Sequence, residues 1–65
     1  MDATIDTLWD IDQVAQYLNL KPATIRAMAR EGRIPAVKIS NAWRFIPEEI
    51  RIWVKSQRTD GQVTE

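Results

Sequence analysis

The sequence predicts a small, mainly α-helical domain carrying a single two-stranded β-hairpin. Three observations point there. Apolar residues recur at helical spacing in three separate segments, the period shortens to two between the second and third, and prolines and a glycine stand at the joints. Sixty-five residues suit one domain. A chain of that size buries only about 60% of the surface its unfolded form exposes, which argues against a deep enzymatic cleft. Residues 1–8 show no period and read as a flexible lead-in, 9–57 as the domain, and 58–65 as a flexible tail or the start of a linker.

The first helix is predicted over about Asp10 to Leu18, because Ile11, Val14, Ala15 and Leu18 fall on one face. Asp10 and Gln13 have the spacing of a capping pair, Asp12 adds negative charge to the first turn, and Asn19 tolerates the left-handed conformation that ends a helix. Pro22 suits the first position of a second helix, although Lys21 before it lacks a capping oxygen. Ile25, Met28 and Ala29 form its apolar stripe, Ala23, Arg26, Ala27 and Arg30 its opposite face, and Gly32 and Pro35 stop it. Two short helices joined by a tight turn match the helix-turn-helix pattern, which a generic helical hairpin shares. After Pro35 the alternation of Val37 and Ile39, then Trp43 and Phe45, predicts a hairpin turning at Ser40-Asn41-Ala42. Those four apolar residues are expected inward, with Lys38, Ser40 and Arg44 outward. Pro47 opens the last helix, whose acidic start at Glu48 and Glu49 and basic end at Lys55 and Arg58 complement its dipole. Ile50, Trp53 and Val54 give its core stripe.

Composition removes most chemistry. With no cysteine and no histidine, disulfides, thiolate metal sites and the usual general base are missing. Asp10 and Asp12 are explained by capping, and the adjacent Glu48 and Glu49 do not face each other, so neither pair reads as a metal or catalytic site. No apolar run approaches the ~20 residues of a membrane span, and the N-terminus lacks a signal peptide's basic start. The expectation is a cytoplasmic binding domain with no enzymatic activity, cofactor or metal and no membrane partner. Formal net charge is zero, but its distribution is bipolar. Residues 1–19 hold Asp2, Asp6, Asp10 and Asp12 and no base, whereas 20–46 hold Lys21, Arg26, Arg30, Arg33, Lys38 and Arg44 against Glu31 alone. Such separation sets up a strong local field, although a solvated mixed surface accounts for it equally well.

Some of these pieces occur in a distinctive order: Val14-Ala15, then Thr24-Ile25-Arg26, then the run Arg30-Glu31-Gly32-Arg33-Ile34-Pro35-Ala36-Val37-Lys38-Ile39. Trp43-Arg44-Phe45, Glu48-Glu49-Ile50 and Trp53-Val54 complete it. The whole resembles the excisionase-like DNA-binding family, a small relative of the MerR winged helix-turn-helix domains, from about Leu8 to Val54. The resemblance implies sequence-specific binding of double-stranded DNA, by a transcriptional regulator or an excisionase-like recombination accessory factor. Helix 22–31 would enter the major groove, and the wing, 37–46, would touch the backbone or minor groove. Carried onto this chain, Ala23, Arg26, Ala27 and Arg30 would face the groove, with the two alanines permitting close approach. Arg26 would be the residue for base edges. Lys21 and Thr24 would hold phosphate at the helix start, Arg30 and Arg33 would meet phosphates, and Lys38, Ser40, Asn41 and Arg44 would make the wing's contacts.

Alternatives stand beside each assignment. Arg26 is also compatible with a phosphate contact or a solvated surface, and outward Lys38 and Arg44 also serve to keep an exposed strand from pairing edge to edge. Trp43 and Trp53 lie on apolar stripes and are expected in the core. A different class of function, a protein-interaction adaptor, would use Ile52, Trp9 and the acidic N-terminal face. A single reading helix covers few base pairs, so a second copy of the chain, a recombinase or a polymerase is the expected protein partner. DNA reading requires the cationic groups of separate segments to converge in one continuous ridge, and their scattering around the molecule or capture in internal ion pairs would count against it.

Overall fold

Asp10 starts the first helix in the computed structural model of the protein, which describes residues 7–58. Its carboxylate accepts from the Gln13 N–H at 2.8 Å, and the Gln13 Oε1 accepts from the Asp10 N–H at 2.9 Å. Helix α1 spans Ile11–Leu18, one residue shorter than expected because Asp10 is extended and caps it from outside. Asn19 takes the left-handed conformation at φ 60°, letting the Leu20 N–H reach the Ala15 carbonyl at 2.8 Å. Helix α2 spans Pro22–Arg30, with Glu31 as its C-cap. Lys21, at its N-cap, makes no side-chain capping bond. Gly32, at φ 73°, turns the chain so that the Arg33 N–H closes on the Met28 carbonyl at 2.9 Å.

Strands β1 (Val37–Ile39) and β2 (Ala42–Arg44) pair antiparallel, with Val37 opposite Arg44, Lys38 opposite Trp43 and Ile39 opposite Ala42. This register corrects the expected facing. The loop is two residues, Ser40 and Asn41, both left-handed at φ 50° and 68°, where a three-residue turn through Ala42 was expected. One residue fewer in the loop moves each β1 side chain to the other face relative to β2. Lys38 therefore shares a face with Trp43, while Val37 and Ile39 share theirs with Ala42 and Arg44. Ile39, expected inward, is 49% exposed.

Helix α3 (Pro47–Ser56) follows, with Glu48 and Glu49 in its first turn and Lys55 in its last. The core is built from the three helices, the second strand with the Phe45 that follows it, and the loop before the hairpin. Val14, Ala15, Ile25, Ala29, Ile34, Phe45 and Ile50 are buried, and Trp9, Trp43, Trp53 and Val54 are among the partly buried residues around them. Ile34 belongs to no helical stripe, and its burial was not anticipated. Trp9 and Phe45 form an isolated bridge through both backbone hydrogen bonds, at 2.8 and 2.9 Å, tying the entry to α1 against the end of β2. Trp9, one of the residues an adaptor would use, is thus packed and half-buried. The lead-in expected at 1–8 and the tail at 58–65 lie mostly outside the described residues. Among the described residues no helix is long and apolar enough to cross a membrane.

Candidate nucleic-acid interface

Burial of Ile25 and Ala29 orients α2, and at helical spacing this turns Ala23, Arg26, Ala27 and Arg30 outward. Arg26, Arg30, Ala23, Thr24 and Lys21 are exposed, and Ala27 is half-buried. Among the described residues, Lys21, Arg26 and Arg30 hold no ion pair, so their charges are available to a ligand. In the first turn of α2, Pro22 has no N–H and the Thr24 and Ile25 N–H groups donate to the Lys21 carbonyl at 2.9 and 3.1 Å, which leaves the Ala23 N–H beside Lys21 without a side-chain cap.

The hairpin comes round to meet this face. A groove of about 290 Å³ is lined by Arg26 of α2, by Asn41, Ala42, Trp43 and Arg44 of the hairpin, and by Asp10, Ile11 and Asp12 of α1. Arg44 is half-buried, and its Nη1 donates to the Trp43 carbonyl at 2.8 Å, which fixes the guanidinium close to the strand. Arg26 and Arg44, eighteen positions apart in the chain, therefore open on one concavity with the turn residue Asn41. Ser40 is exposed next to Asn41 at the tip of the turn.

Two of the expected site residues lie elsewhere. Lys38 sits on the opposite face of the hairpin from Arg44, its Nζ 4.7 Å from the centre of the Trp43 ring. That stacking is favourable by about 0.5–1 kcal/mol at an exposed site and holds the ammonium over the indole. Arg33 pairs with Glu31 at 3.0 Å. Both side chains are mostly exposed, so the pair contributes little to stability, yet it offsets the charge of Arg33. Arg33 also lines a separate concavity with Gly32, Ile34, Pro35 and Trp53. Of the six bases, Arg26 and Arg44 line the groove, Lys21 and Arg30 are exposed on α2, and Lys38 and Arg33 lie elsewhere, so they do not form one continuous ridge. Trp43 and Trp53 pack against the core, as their stripes implied.

Capping and first-turn charge account for Asp10 and Asp12 in the sequence. Both also line the Arg26–Arg44 groove. Nothing in local spacing signals this, because the groove arises only when three elements come together. Among the described residues no group of three or more His, Cys, Asp or Glu is arranged to hold a metal ion. Asp10 and Asp12 bring acidic side chains to the groove beside Arg26 and Arg44. A family model described as a helix-turn-helix domain matches residues 10–58. No curated protein and no solved structure matches the chain.

Proposed function

We propose that this chain, which belongs to the helix-turn-helix family of excisionase-like and MerR-like DNA-binding domains, reads double-stranded DNA with α2 in the major groove and the hairpin on the flanking backbone or minor groove. DNA binding in general goes with that family. The observation that supports the finer reading is the shared groove, in which Arg26 of the second helix and Asn41 and Arg44 of the hairpin open on the same space. A helix without a hairpin beside it would reach only a few base pairs.

In this reading Arg26 addresses base edges, where a guanidinium bonds guanine in a two-pronged fashion worth ~1–3 kcal/mol of discrimination. Ala23 and Ala27 let the helix approach closely. Lys21, Thr24 and Arg30 hold phosphates, Arg44 and Asn41 contact the strand beside the groove, and Ser40 reaches from the tip of the turn. Lys38 and Arg33 reach phosphate only by leaving the Trp43 ring and Glu31, so their contribution is smaller. The chain's work is positioning: it serves as a transcriptional regulator or a recombination accessory factor in the cytoplasm, without catalysis or cofactor.

Selection from random duplexes at fixed salt, followed by fluorescence anisotropy with Arg26→Ala, tests this. The variant is expected to bind the selected site ~10- to 100-fold more weakly while binding unrelated duplexes nearly as well, since a base contact carries the preference. If the variant loses selected and unrelated duplexes equally, Arg26 is a phosphate contact. If no sequence is enriched, specific reading is refuted.

A further inference from the structure

The hairpin inverts the usual placement of charged and apolar side chains. Its register lays the ammonium of Lys38 over the ring of Trp43, which packs against the core, and leaves Ile39 in solvent at 49% exposure. A loop longer by one residue would turn Ile39 inward and Lys38 outward, the ordinary arrangement for a strand with one wet face. Positions where such a local rule fails are expected at sites that function. Ile39 is the last residue of β1, next to the small side chains of Ser40 and Asn41 at the tip. Opposite it stands Ala42, whose single methyl leaves the isoleucine proud of the surface. On the same face lie half-buried Val37 and Arg44, and Arg44 opens on the Arg26 groove. An exposed aliphatic knob thus adjoins a cation at the edge of the proposed interface.

We propose that Ile39 enters the minor groove beside the Arg26 site and selects A·T over G·C pairs there. This rests on the placement of the hairpin proposed above and adds a specificity residue to it. The minor groove is about 6 Å wide, which admits one aliphatic side chain while the two-stranded ribbon stays at its mouth. Both kinds of pair present acceptors on the groove floor, and G·C adds the guanine N2 amino group. Isoleucine has nothing to accept from that donor, so covering it would bury an unpaired N–H group. Over A·T the side chain meets no such donor. Being β-branched, Ile39 is stiff at χ1 and does not swing aside to make room for the amino group. Arg44 on the same face favours the same choice, because narrow A·T stretches concentrate negative potential in the minor groove.

Anisotropy titrations of the full chain test this on the duplex selected from random sequence, with the pairs flanking its core set to A·T, to G·C or to inosine·C. Inosine lacks the N2 amino group, so inosine·C keeps the acceptors of G·C while presenting the minor-groove floor of A·T. The wild-type chain is expected to bind the A·T and inosine·C duplexes alike, and the G·C duplex about fivefold or more weakly. Ile39→Ala, which leaves room for the amino group, should bring the three duplexes to within about twofold of one another. Ile39→Asn, whose carbonyl accepts from the amino group, should remove the G·C penalty as well. Neither variant removes a cation, so the salt slope should stay as in the wild-type chain. Both changes fall at an exposed strand position, and circular dichroism checks that each variant is folded. A wild-type chain indifferent to the flanks overturns the proposal. So does an inosine·C duplex that behaves as G·C does, or a G·C penalty that survives in both variants, since DNA shape or another side chain would then be the cause. Enrichment of the core with uniform flanks refutes the Ile39 contact alone, whereas enrichment of no sequence refutes the reading by α2 along with it.

Discussion

Two left-handed residues in succession decide how the hairpin is built. Asn41 adopts φ 68° at modest cost, because asparagine tolerates that region. Ser40 at φ 50° does so less readily, and such a residue stores on the order of 1 kcal/mol of backbone strain. A turn with positive φ at both central positions favours Asn followed by Gly. The double substitution Ser40→Asn and Asn41→Gly should therefore stabilise the domain by about 1 kcal/mol, which for this size raises Tm by about 4–8 °C. Thermal unfolding followed by circular dichroism measures it, and an unchanged or lowered Tm would contradict the two-residue loop. Gly32 stands at the equivalent decision point after α2. A Cβ there would meet nothing within 4 Å, so its φ of 73°, not lack of space, is what calls for glycine.

Among the helices, α2 and α3 both start without a side-chain cap, and α2 is the one whose start carries residues of the proposed interface. Serine in place of Lys21 would offer an oxygen to the N–H groups of Ala23 and Thr24 in the first turn, of which Thr24 now has only the Lys21 carbonyl, while removing a cation from the proposed phosphate site. Lys21→Ser is expected to gain about 1 kcal/mol in unfolding free energy and to weaken duplex binding regardless of sequence. The log–log salt dependence should become shallower by about 0.9, as expected for one fewer neutralised phosphate. Tighter folding with unaltered salt slope would remove Lys21 from the interface. The termini of the helices were legible because they rest on local chemistry: Asp10 with Gln13, Asn19, Pro22 and Gly32 each act within a turn of where they stand. The hairpin was legible as an element but not in register. Its facing depends on whether the loop takes in Ala42, and alternation in the strands is compatible with either choice. The Trp9–Phe45 bridge has no period at all, being a single pair, and Ile34 is buried by the packing of neighbouring elements and not by a stripe of its own.

For the molecule as a whole, zero formal charge conceals a local arrangement in which acids and bases share a groove. The six bases of the middle segment were visible in the sequence, but their partition was not: Arg26 and Arg44 meet, Lys38 lies over an indole, and Arg33 pairs with Glu31. Asp12, beside Arg26 and Arg44, repels an approaching phosphate backbone. Asp12→Asn should therefore raise affinity for duplexes of any sequence by about two- to tenfold at low salt, an effect that fades as the Debye length falls to ~8 Å at physiological ionic strength. Anisotropy titrations at two salt concentrations measure this, and unchanged affinity at low salt would mean that the carboxylate points away from the bound strand. The Trp9–Phe45 bridge has a mechanical consequence as well. Since both of its hydrogen bonds clasp the root of the hairpin to the doorstep of α1, the wing cannot swing without dragging the first helix along. Duplexes would thus meet a stiff template, and the bending needed for a close fit would fall on the nucleic acid, favouring pliable base steps that no side chain touches.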